Sequence, residues 1–233
     1  MSKFFIPINQ TLEQINNPEE WRYLLAKPDK HWKDGYSAKL LAYCWQTANG
    51  FPGSVRNAFR KSGIPLFQNV EMLLAFPEYK VPLPGGKRAS QNDIFLLARG
   101  NGPLISITVE GKVAESFDKT VTEWKHSYEY TKGRKTRLAF LCETLGVEEK
   151  DIEDIRYQLL HRTASAIIEA KKFDAENALM LVHSFSQSDE GFTDYCQFLK
   201  LYGAKGEIDS IVFAKNVKNV NLYLGWIKEK DHN

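Results

Sequence analysis

The spacing of apolar and polar positions changes along the chain, and the change falls near Val70. Before it, Ser37 to Ala48 (SAKLLAYCWQTA) places Leu40, Leu41, Cys44 and Trp45 on one face of a 3.6-residue repeat and stops at Asn49-Gly50. A second, shorter helix is predicted from Ser54 to Lys61, after the Phe51-Pro52-Gly53 turn. Beyond Val70 the segments Glu71 to Leu83, Asp93 to Ala98 and Leu104 to Val113 are rich in β-branched and apolar residues. Pro84-Gly85-Gly86 and Gly100-Asn101-Gly102-Pro103 separate them, so three consecutive strands are predicted, the last two as a hairpin.

Residues 114 to 135 are polar, carry Lys125, Lys132, Arg134 and Lys135, and read as an exposed loop with room for a short helical turn. Helices follow from Thr136 to Leu145 and from Glu148 to Lys172, the second with Ile152, Ile155, Leu159 and Ile167 on an apolar stripe. Ala178 to Ser186 is almost continuously apolar, as expected of a strand covered on both faces. A helix from Phe192 to Leu201 and an alternating strand from Val220 to Ile227 complete the pattern.

Residues 1–35 are polar and punctuated by Trp, and Asn17-Pro18-Glu19-Glu20 has the form of a helix start, with Asn as cap and acids in the first turn. They predict an N-terminal helical extension packed on a main domain of residues 36–233. The order helix, three strands, helix, strand, helix, strand predicts an α/β (α+β) fold with a mixed sheet flanked by helices.

Composition narrows the class. Of 233 residues, 43% are hydrophobic and 12% aromatic, enough ring surface to offset the ordering entropy of one compact domain. The formal charge of +2 is too small to identify a polyanionic partner. Cys44, Cys142 and Cys196 are far apart, with no CxxC or Cys/His spacing, and read as reduced core thiols of a cytoplasmic protein. No window holds the apolar run of a signal peptide or a membrane helix, so no membrane partner is expected.

The candidate chemistry lies in the predicted hairpin. Along Leu104 to Val113, period-two alternation puts Ser106, Thr108, Glu110 and Lys112 on one face and Ile105, Ile107 and Val109 on the other. Folding the hairpin about Gly100 to Pro103 carries Asp93 toward Glu110, because antiparallel strands set the start of one beside the finish of the next. Two neighbouring carboxylates repel unless a cation lies between them, and oxygen ligands suit a hard ion such as Mg²⁺ or Mn²⁺. Such an ion would be ligated by Asp93 and Glu110, with Lys112 beside an attacking water.

Asp93, a hairpin and Glu110-Gly111-Lys112 together resemble the motif of the PD-(D/E)XK superfamily of restriction-endonuclease-like nucleases. The resemblance covers roughly residues 36 to 186. It implies a core of helix, three strands, helix and strand, and a magnesium-dependent phosphodiesterase acting on DNA or RNA. The family often carries Gln or Arg on the helix after the motif strand. Gln158, His161, Arg162 and Ser165 fall at helical spacing there and would present a polar face to a substrate phosphate. The chain departs from the pattern in having Asn92 where the family has Pro, and no acid in Ser37 to Ala48; Glu71 or Glu78 would substitute for that acid.

Further candidates carry blander readings. Lys87 and Arg88, with Lys132, Arg134, Lys135 and Arg137, would form a basic rim for a nucleic-acid backbone, although charged loops are more often simply solvated. Pro84-Gly85-Gly86-Lys87-Arg88 lacks phosphate-loop spacing and reads as a glycine turn, and His183 reads as a satisfied core histidine. The alternative to a nuclease is a non-catalytic module of the same fold that binds nucleic acid or a protein, and either is compatible with a homodimer. Turnover of a small phosphorylated molecule is a third possibility.

Overall fold

The fold was analysed in a computed structural model, which describes residues 2–8, 11–127 and 129–230. Its elements are strands β1 (Phe5–Ile8) and β2 (Thr11–Gln14), helices α1 (Pro28–His31), α2 (Ser37–Ala48) and α3 (Gly53–Lys61), and strands β3 (Val70–Val81), β4 (Ser90–Gly100) and β5 (Leu104–Lys112). Helices α4 (Val121–His126), α5 (Lys132–Leu145) and α6 (Tyr157–Lys172) follow, then β6 (Asn177–Ser184), α7 (Phe192–Lys200), β7 (Ser210–Val217) and β8 (Val220–Lys228).

Six strands form one mixed sheet in the order β3-β4-β5-β6-β8-β7. The first three are antiparallel, β5 and β6 are parallel, β6 and β8 are parallel, and β7 returns antiparallel on the edge. Helices cover both faces, as the apolar pattern of the central strand requires. Ala178, Met180 and Val182 of β6 enter a core with α5, α6 and α7, through Leu141, Leu160, Ile167 and Phe198. Leu179 and Leu181, pointing the other way, enter a core with α2 and α3, through Leu41, Trp45, Val55 and Phe59. The chain is thus an α+β sandwich.

Helix α2 and the β4–β5 hairpin match the predicted boundaries closely, and Asn49 adopts the left-handed conformation (φ 45°) that ends α2. Four expectations need correction. The N-terminal extension is not wholly helical: β1 and β2 pair as a hairpin, and Phe4 bridges Ala75 of β3. A 3₁₀ helix at Pro18–Leu24 does carry the expected Asn17 cap, closed by Glu20, and its Trp21 is buried against α2. Residues 114 to 135 are not one loop. Thr120 and Glu123 form a capping box that starts α4, and Thr131 caps α5 four residues before the predicted start.

The helix predicted from Glu148 begins only at Tyr157, because residues before it bond elsewhere. Val121 and Thr122 donate to the carbonyls of Ile155 and Glu153, and Tyr157 donates to Lys119. Strand β7 was not anticipated. Its half-exposed sequence SIVFAKNV belongs to an edge strand, where only one side of the ladder is paired.

Candidate functional site

On β5 the alternating pattern holds, but the polar face is not a solvated edge. Helix α6 lies over it: Ser106 donates to the Ala166 carbonyl at 2.8 Å and Thr108 to the Arg162 carbonyl at 3.1 Å. Glu110 and Lys112 are therefore both 97% buried, each exposing 3%. Buried charges persist only when paired and hydrogen-bonded, and these are.

Both Glu110 oxygens are engaged. Oε1 accepts from Lys112 Nζ at 2.9 Å and from Gln158 Nε2 at 2.7 Å, and Oε2 accepts from Arg162 Nε at 2.5 Å. Gln158 returns its own Oε1 to Lys112 at 2.9 Å, so amide, ammonium and carboxylate close a triangle. Burial alone would raise the Glu110 carboxyl, but the charges of Arg162 and Lys112 hold it at about 2. Lys112 also donates to the Ser116 carbonyl at 3.4 Å and sits 4.7 Å from the centre of the Phe117 ring.

Strand register sets two more acids in the same row. Pro77 pairs with Ile94 and Tyr79 with Asn92, which leaves Glu78 opposite Asp93. Ile94 pairs with Val109, and continuing that register by one residue sets Asp93 beside Glu110. Glu78, Asp93 and Glu110 thus run across three adjacent strands and line one cleft of about 770 Å³. Asp93 Oδ2 accepts the Gly111 N–H at 2.7 Å, while Gln91 donates to Glu78. Glu78 takes a left-handed backbone, φ 52°, inside a strand, a costly conformation for a residue with a Cβ. Burial, then the neighbouring carboxylates, raises Asp93 well above its ordinary range, and burial lifts Glu78 to about 7. The ion pairs of this site, from Lys112 and Arg162, both end on Glu110.

Of the helix face expected on α6, Gln158 and Arg162 reach the cleft, but both donate to Glu110, with Gln158 Oε1 taken by Lys112 and Arg162 Nη1 reaching Ser90 Oγ. His161 turns to Ser90, 2.8 Å from its Oγ, and burial followed by the Arg162 charge holds its imidazole well below the usual value. Ser165 is buried and donates to the His161 carbonyl. The expected basic rim divides. Lys87 and Arg88 are exposed on the β3–β4 turn and are absent from the cleft wall. Lys132, Arg134, Lys135 and Arg137 belong to α5, not to a loop. Arg137 clamps the turn through the carbonyls of Pro84, Leu83 and Gly86, and Arg134 packs on Trp124 at 4.4 Å. Of the two possible substitute acids, Glu78 lines the cleft; Glu71 is exposed at the far end of β3, paired with Lys3.

One wall of the cleft escaped sequence reasoning. Leu25, Ala26, His31 and Tyr36 from the N-terminal segment line it, together with Ser116 and Asp118 after β5. No local pattern announces such a wall, since it arises from contacts remote in sequence.

A second cluster lies under the other helical layer, where Cys44, His183 and Glu229 offer ligand atoms within 4.8 Å of one another. Trp45 Nε1 donates to His183 Nδ1 at 2.9 Å, so the ring proton resides on Nε2, which faces Glu229 at 3.0 Å. A metal on Nε2 would need that proton removed while Nδ1 still accepts from Trp45. The cluster is a satisfied polar network, in keeping with the sequence reading of His183.

Among the described residues, no helix is long and apolar enough to cross a membrane. No curated protein and no solved structure matches the chain significantly. Residues 14–231, nearly the whole of it, match the family described as Domain of unknown function (DUF6946). The chain is therefore a member of the DUF6946 family.

Proposed function

We propose that the protein is a divalent-cation-dependent phosphodiesterase of the PD-(D/E)XK type, acting on DNA or RNA at the Asp93/Glu110/Lys112 cleft. The observation that carries the reading is the row Glu78, Asp93 and Glu110 across three strands, with Lys112 two residues beyond. With α3 inserted after α2, and α4 and α5 inserted after β5, the elements α2, β3, β4, β5, α6 and β6 follow the order of the core that the resemblance implies.

The donor set fits Mg²⁺ or Mn²⁺. All three acids offer oxygen, and Asp93 and Glu78, opposite one another in register, hold their protons tightly until a hard cation displaces them. Three donors fill three of the roughly four acceptor positions on the Glu110 carboxylate, so it can still ligate. Asp93 and Glu110 would hold the ion, with Glu78 in place of the acid missing from α2. A bound cation of this kind polarises a phosphoryl oxygen and lowers the pKa of a bound water.

The protein's own groups supply orientation and charge. Lys112, fixed by Glu110, Gln158 and Ser116, presents its ammonium where charge develops on phosphorus. Arg162, with Lys112, keeps Glu110 ionised and Gln158 helps aim it, a positioning role in place of direct phosphate contact. A cytoplasmic setting belongs to the same proposal, supported by three free thiols.

One observation favours the non-catalytic reading. The three ammonium protons of Lys112 already have three acceptors, as in a purely structural ion network. Cleavage assays on mixed single- and double-stranded DNA and RNA, with Mg²⁺ or Mn²⁺, decide between them. Cation-dependent cleavage is expected, lost by about 10²-fold or more in both Asp93→Asn and Lys112→Met. Cleavage retained in both variants would falsify the site assignment.

A further inference from the structure

The shape of the cleft restricts what can reach its floor. Glu110 and Lys112 lie 97% buried at the bottom, so a phosphate must descend to meet them. Leu25, His31 and Tyr36 from the N-terminal segment and Ser116 and Asp118 after β5 line the cleft as well. The cleft, about 770 Å³ and open to solvent on part of its boundary, lies in the range of roughly 300–1,000 Å³ typical of small-ligand sites. A paired duplex holds its phosphates on a rigid surface and cannot lower one of them onto groups that are only 3% exposed, whereas an unpaired strand can.

The walls also carry recognition chemistry suited to an unpaired base. Tyr36 is 44% exposed on the cleft rim although it is a large aromatic residue, and its ring offers a face on which a base can stack. Asp118 and Glu115, both exposed in the cleft lining, would repel the doubled backbone charge of a duplex more than that of a single strand.

We infer that the cleft selects single-stranded nucleic acid, seating an unpaired nucleotide between Tyr36 and the segment after β5, and excludes intact duplex. The inference rests on the nucleic-acid reading of this site and adds the substrate class to it.

Fluorescence anisotropy of the full chain in Ca²⁺, with a labelled single-stranded oligonucleotide and the same strand annealed to its complement, tests it without relying on turnover. Single strand is expected to bind at least about tenfold more tightly, Tyr36→Ala to weaken it about tenfold, and Tyr36→Phe to restore it. Equal or tighter binding of duplex, binding of neither, or no effect of Tyr36→Ala overturns the inference. Cleavage in Mg²⁺ or Mn²⁺ by the same preparations reports separately on the hydrolase. Absence of cleavage with strand selectivity intact defeats the hydrolase reading alone; equal cleavage of both forms defeats the strand selectivity alone.

Discussion

Arg162 on α6 donates its Nε–H to Glu110 on β5 at 2.5 Å, and this contact ties the helix to the strand at the floor of the cleft. Glu110 is the shared acceptor of Arg162, Lys112 and Gln158, so the network is asymmetric: removing a donor leaves a buried carboxylate short of charge.

Replacing Arg162 by Met should therefore destabilise the fold by about 3–5 kcal/mol, the usual cost of breaking a buried pair from one side. The double variant Arg162→Met with Glu110→Gln should recover part of that loss, because the stranded charge is gone. Urea unfolding of the four proteins in the cycle measures the coupling. Additive losses would show that the two side chains do not depend on one another.

The acids of the cleft act on stability in opposite directions with pH. Glu110, held at about 2 against an ordinary 4.5, contributes stability above the unfolded value that disappears as pH falls through the interval. Glu78, raised to about 7, binds its proton more tightly folded than unfolded, so stability declines as pH rises from 4.5 to 7. Asp93 is raised as well and reinforces that decline. Calorimetry without divalent ion should show greatest stability near the acidic end of this range, with a loss on the order of 2 kcal/mol toward neutral pH. Mg²⁺ should restore more stability at pH 8 than at pH 5, and Glu78→Gln should shrink the difference. An equal Mg²⁺ response at both pH values would rule out a cation seat among these acids.

For the Trp45–His183–Glu229 network, ¹⁵N NMR should show the His183 proton on Nε2 and a non-protonated Nδ1, as the bond from Trp45 requires. Zn²⁺ should leave the melting temperature unchanged. Burial, followed by the Glu229 carboxylate, pushes the Cys44 thiol far up, so alkylation at pH 8 should be slow and should speed up in Glu229→Gln. A zinc-induced rise in melting temperature abolished by Cys44→Ser would instead make this cluster a metal site.

Gly85 and Gly133 bring the β3–β4 turn against the start of α5. Gly85 has φ 80°, and a Cβ there would collide with the Gly133 carbonyl. Gly85→Ala should destabilise the protein by more than about 1 kcal/mol in chemical denaturation, through both backbone strain and collision. A neutral substitution would mean that the turn can lift from α5.

Much of the frame was legible along the chain, for a physical reason. Helix and strand periods are local, so α2, the β4–β5 hairpin and the doubly buried β6 follow from residues adjacent in sequence. The placement of Glu110 and Lys112 on one face of β5 follows from the same two-residue period, and the hairpin turn carries Asp93 to them. Elements whose boundaries depend on distant partners were misjudged. The stretch before Tyr157 has a helical stripe, but its backbone bonds to residues 119–122 and so remains outside α6. Edge strand β7 presents too little apolar surface to show the alternation clearly.

The amino-acid order by itself determined the helices and strands, the hairpin and the approach of Asp93 to Glu110 and Lys112, because each is set by bonds or spacings within a few positions. Only tertiary structure decided that Glu78 rather than Glu71 joins Asp93, that Arg162 neutralises Glu110, and that Tyr36 of the N-terminal segment lines the cleft. Those outcomes depend on strand register and on contacts between elements far apart in the chain, where charge and shape act through space and leave no periodic trace in the sequence.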